Sequence, residues 1–204
     1  MSRRRAGAAV AGAGGFAALA ILVAAGRLTS LDQWAIDHAM PGARFTGGKP
    51  SLTGALIPLW HEDWHGSLHV AADIVTLPAY FAAATLIVAL ACAVVRGRRA
   101  ISLAAAYVAV NLIEAITKTA LTRPALYRHG LHLTGFDNSY PSGHTVRSVL
   151  VAVAVAAAWP RAGRWAAAWA VCSVAMLEVA GLHVPTDIAG GLLIAGALVL
   201  AVRY

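Results

Sequence analysis

Six apolar stretches, at residues 6–25, 70–95, 101–119, 145–159, 165–182 and 188–202, take up most of this chain and leave little room for a soluble fold. A helix that crosses a bilayer needs roughly 20 mostly apolar residues. The fourth and sixth stretches are short, and each gains a turn if its helix begins earlier, at Ser142 and near Pro185. Charged residues make up only 12% of the chain against 59% hydrophobic, about half the charged share of a soluble domain. The expectation is an all-α integral membrane bundle of six helices, one domain over residues 1–204.

The net charge of +7 would point to nucleic acid in a soluble protein. Here the arginines sit mostly in short clusters between apolar stretches: Arg3–Arg5 before the first, Arg96, Arg98 and Arg99 between the second and third, Arg161 and Arg164 between the fourth and fifth, and Arg203 after the sixth. Those four segments contain no Asp or Glu, and an even number of spans puts them all on one side. The positive-inside rule makes that side cytoplasmic, so the partner is a bilayer and no nucleic acid is expected. Arg3–Arg5 ahead of an apolar run also fits a signal peptide, but 6–25 is long for one, and an uncleaved span is expected. The chain is thus expected to be a multi-pass protein of the cell membrane.

Three connections fall on the opposite side: 26–69, 120–144 and the tight 182–187. Residues 28–40 read either as a short interfacial helix, with Leu31, Trp34, Ala35 and Ile36 among Asp32, Gln33 and Asp37, or as a solvated loop with aromatic anchors. Most of the unusual polar residues gather beside these connections, and ionisable groups at such depth are costly and usually functional. Pro141-Ser142-Gly143-His144 can open a helix whose free amides bind an anion. A capped helix start with no ligand reads the same way. His183 and Asp187, four apart around Pro185, can pair so that the carboxylate fixes the imidazole tautomer. A structural His–Asp pair has the same spacing. Lys118 and Arg123 can hold phosphate oxygens or snorkel to the interface, and Glu114 is placed to pair with Lys118 along a helix.

The order Lys118…Arg123-Pro124, then Pro141-Ser142-Gly143-His144, then His183-x3-Asp187 resembles the type 2 phosphatidic acid phosphatase superfamily, over about residues 111–191. That superfamily includes bacterial lipid phosphatases and isoprenyl-diphosphate phosphatases. The resemblance implies a metal-independent enzyme with no cofactor. It implies His183 as the nucleophile that forms a phosphohistidine, Asp187 as its orienting partner and His144 as general acid. Lys118, Ser142 and the Gly143 amide would stabilise the phosphoryl group. The substrate would be a lipid phosphate or diphosphate, such as a polyprenyl diphosphate, phosphatidate or phosphatidylglycerophosphate, met at an extracytoplasmic interface. A lipid phosphotransferase and a non-catalytic phospholipid-binding relative are the alternatives.

The chain departs from the superfamily pattern in two places. In K-x6-R-P counted from Lys118, the Arg and Pro positions are Ala125 and Leu126, and the Ser-Arg six residues ahead of His183 is Met176-Leu177. Another guanidinium is therefore expected at the phosphate: Arg123, with Arg147 either joining it or paired with Glu178, and Arg128 next in line. His61, His65 and His69 have a spacing that can hold zinc or mark an interfacial turn, and the latter is expected. Cys92 and Cys172 are expected to be unpaired packing residues.

Overall fold

A computed structural model of the protein describes residues 3–43 and 67–202. The helices are α1 (Arg3–Ala24), α2 (Thr29–His38), α3 (Ser67–Thr76), α4 (Phe81–Val95), α5 (Gly97–Ala120), α6 (Gly143–Ala158), α7 (Gly163–Val179) and α8 (Pro185–Ala201). A single hairpin pairs β1 (Tyr127–Arg128) with β2 (Leu131–His132), and its two turn residues, His129 and Gly130, both have positive φ. The fold is an all-α membrane bundle. Residues 3–24, 68–95 and 97–120 are long and apolar enough to cross a membrane by themselves. The second of these is interrupted by a 3-10 turn, Leu77–Ala79, where Pro78 removes a helix donor.

The lipid-facing and core-facing sides of the helices are plain in their periodicity. On α5, Leu103, Tyr107, Val110 and Glu114 recur at steps of three and four and are buried, while Ile101, Val108, Leu112 and Ile116 are exposed. Exposed apolar rows of this kind suit a bilayer and would be a liability in water. Helix α6 is the centre of the bundle. Its Val146, Leu150, Val151 and Ala154 pack with Ala84, Val88 and Ala91 of α4, with the buried row of α5 and with Ile194 of α8. Helix α1 lies along α8, where a Cβ on Gly12 would come within 3.1 Å of the Ala197 Cβ.

Helix α6 has 16 residues, about 24 Å at 1.5 Å per residue, short of the roughly 30 Å hydrocarbon layer. Irregular backbone at membrane depth is tolerated only where protein covers it. Here the cover is a second cluster: Ala35 and Ile36 of α2, Met40, Ala43, Leu126, Leu133, Phe136 and Val184. Residues 28–40 are thus mostly a helix whose Asp32, Ala35 and Ile36 face inward and whose Leu31 and Trp34 stay exposed. Gln33 ties α2 to the hairpin by exchanging two hydrogen bonds with the Tyr127 backbone, at 2.7 and 2.9 Å. Arg128 donates to the Met40 and Ala43 carbonyls at 2.6 and 2.9 Å. Arg128 therefore supports this cover.

Candidate active site

The site lies where α5 ends and α6 and α8 begin. Helix α7 stops in a Schellman turn: Gly181, at φ +71, is its left-handed residue, and the Leu182 amide reaches back to the Leu177 carbonyl at 2.9 Å. Pro185 then opens α8 at its first position. His183 sits in this turn with Nδ1 3.3 Å from Asp187 Oδ2, so the turn forced by Pro185 still brings the two together. When Nδ1 donates to the carboxylate, the lone pair lies on Nε2.

Helix α6 starts against α8. Ser142 is its N-cap and fully buried; its Oγ accepts from the Thr145 amide at 3.2 Å and from the Thr145 hydroxyl at 2.9 Å. The Ser142 amide donates to the Asp187 carbonyl at 3.0 Å, which joins the two helix starts. The approach needs glycine on α8: a Cβ on Gly190 would run into the Tyr140 ring, and one on Gly191 would lie 2.9 Å from the Ser142 carbonyl. By helix geometry, the Gly143 and His144 amides have no intrahelical acceptor. The His144 ring stands edge-on to Tyr80 at 4.7 Å, with its centroid 6.1 Å from that of His183. Its Nε2 is buried and has no hydrogen-bond partner among the described residues.

Two buried charge networks flank the histidines. In the first, Glu114 accepts from Lys118 Nζ at 2.8 Å and from Arg147 Nη1 at 2.6 Å. Arg147 also donates to Asn111 Oδ1 at 3.0 Å and, through Nε, to the Ala79 carbonyl at 2.8 Å. Gly143 has no Cβ because the Glu114 carboxylate occupies that place. The expected Glu114–Lys118 pair is present, but the expected Arg147–Glu178 pair is not. Arg147 lies on the face of α6 toward α5, where Glu114 meets it, and Glu178 of α7 is only half-buried.

The second network is centred on Arg123. Its Nη1 holds Asp32 Oδ2 at 2.9 Å, and its Nη2 donates to Asp187 Oδ1 and, at 3.3 Å, to Thr186 Oγ1. Three of its five N–H donors are thus engaged by protein groups, and its buried Nε has no partner among the described residues. Lys118 has 32% of its side chain exposed against 3% for Arg123 and 10% for Arg147, which makes it the most accessible of the three cations.

A family model described as the PAP2 superfamily matches residues 99–204. The chain belongs to that superfamily. No curated protein and no solved structure matches it. The PAP2 match takes in α5 to α8, and so every candidate residue proposed from the sequence. It leaves out α1 to α4, and with them Asp32 and Tyr80. Asp32, Thr186 and Asn111 are site residues that motif reading passed over. Asp32 did carry a signal: it falls on one helical face with Ala35, Ile36 and Met40, an acid on an apolar stripe. Among the described residues, no group of three His, Cys, Asp or Glu side chains is placed to hold a metal ion. His61 and His65 lie outside the described residues, and His69 is engaged within the structure. Cys92 and Cys172 are free.

Proposed function

We propose that this PAP2 superfamily member hydrolyses a lipid phosphate or diphosphate through a phosphohistidine on His183, without a metal. The observation that carries the reading is the pair of histidine rings 6.1 Å apart, one backed by Asp187 and the other with a buried nitrogen that has no partner among the described residues. His183 Nε2 attacks phosphorus as the bond to the leaving oxygen breaks, and that oxygen takes a proton from His144. A phosphate dianion beside His144 favours the protonated ring this step requires. Water then attacks phosphorus, giving its proton to the now neutral His144, and the P–N bond breaks to return the lone pair to His183 and free inorganic phosphate. Lys118, the Gly143 and His144 amides and Arg123 Nε are the donors for the phosphoryl oxygens, while Arg147 acts by holding Glu114. The Ser142 hydroxyl caps α6 and so sets where those amides point.

The arginine clusters favour a site facing away from the cytoplasm, and the exposed Leu31 and Trp34 of α2 fit an interface where a lipid headgroup arrives. Polyprenyl diphosphate, phosphatidate and phosphatidylglycerophosphate all present the required phosphate. Purified protein in detergent is expected to release phosphate from at least one of these, equally well with chelator present. Burial pushes the His183 imidazole below its usual 6.5, with the Asp187 hydrogen bond opposing. The ring is then neutral at pH 7, and protonation removes its nucleophilic lone pair as pH falls. The acid limb of kcat/KM is therefore expected below about pH 6.5. Activity that vanishes with chelator would overturn the metal-free reading, and an acid limb well above neutrality would overturn His183 as the attacking base.

A further inference from the structure

We propose that Asp32, on α2 and outside the residues matched to the superfamily, is a positioning residue for the His183–Asp187 pair that acts through Arg123. The proposal rests on the phosphatase reading above. Asp32 is 2% exposed. Its Oδ2 accepts from Arg123 Nη1 at 2.9 Å and from Thr186 Oγ1 at 2.7 Å, and its Oδ1 accepts from the Thr186 amide at 3.2 Å. One carboxylate thus holds both the first turn of α8 and the guanidinium that binds Asp187.

Charge gives this arrangement its consequence. Arg123 alone would neutralise Asp187 and oppose positive charge on the imidazole. Burial raises the Asp32 carboxyl, opposed by its hydrogen bonds from Thr186 and by Arg123; with Asp32 ionised, the buried trio carries one net negative charge, which stabilises His183 as it becomes a phosphoimidazolium. Docking α2 does not need this carboxylate, because Gln33 and Arg128 already tie α2 and the residues after it to the hairpin. Burying three ions costs more than those contacts do, so a purely mechanical role leaves the choice of residues unexplained. The other charged or titratable groups facing His183 are Asp187 on α8, Lys118 and Glu114 on α5, and His144 on α6. None of these is changed by substitution at Asp32.

The test compares the full-length protein with Asp32→Asn and Asp32→Glu in detergent micelles. The readouts are phosphate release from a lipid phosphate and the His183 imidazole titration by NMR, assigned with His183→Ala. Asp32→Asn keeps the shape and removes the charge. Its kcat is expected to fall about tenfold, the equivalent of one pKa unit of lost stabilisation of the charged ring, with KM unchanged. The His183 midpoint is expected to move down by about one unit. Asp32→Glu should recover part of both effects. Wild-type turnover and midpoint in Asp32→Asn would overturn the proposal, and so would a variant that loses thermal stability alone. Wild-type protein that releases no phosphate would count against the phosphatase reading only, since the titration still decides whether Asp32 acts on His183.

Discussion

His183→Ala is expected to lower phosphate release by about four orders of magnitude or more, since the attacking atom itself is lost. The helices should stay intact, because the Schellman turn at Gly181 and Pro185 at the start of α8 do not depend on the imidazole. His144→Ala should cost about 10²- to 10⁴-fold, the range for general-acid catalysis. The two variants are separated by the leaving group. An aryl phosphate, whose leaving oxygen needs no proton, should restore the first step in His144→Ala, seen as a burst of aryl alcohol with slow turnover after it because the ring also takes water's proton, and should restore nothing in His183→Ala. Equal behaviour of both variants on both substrates would contradict the division of labour between the rings.

Glu114→Ala is expected to unfold the site end of the bundle more readily than any substitution on the lipid-facing rows. Removing this carboxylate leaves Arg147 within the bundle with no ionic partner, where losing one member of a buried pair costs about 3–5 kcal/mol. Its remaining contacts, to Asn111 and the Ala79 carbonyl, bear no charge to offset it. Replacing both members of the pair, Glu114→Leu with Arg147→Leu, should recover most of the thermal stability while leaving the enzyme impaired. A Glu114→Ala melting temperature equal to wild type would show that the carboxylate does not hold Arg147 in place.

The sequence displayed the bundle well because membrane spans are written in composition: long apolar runs, with clusters of arginine between them. Local pairs were legible for a similar reason. Glu114 and Lys118 are one helical turn apart, and His183 and Asp187 flank a proline that dictates the turn. Pairs that join distant segments were not legible. Arg147 had an acid to find, and Glu178 was the one expected, but helix packing put Glu114 of α5 opposite that face of α6 instead. Arg123 meets Asp32 across 91 positions, and no spacing rule reaches that far. The same distance hid the place of Arg123, which binds both Asp32 and Asp187.

The most direct measurement traps the intermediate. Wild-type protein is mixed with a lipid phosphate, quenched in base to preserve an acid-labile phosphoramidate, and digested for mass spectrometry. The account predicts one phosphoryl group on His183 in wild type, more of it in His144→Ala reacted with an aryl phosphate, and none in His183→Ala. Phosphate release with no label on His183 at any reaction time, or label on a different residue, would contradict it.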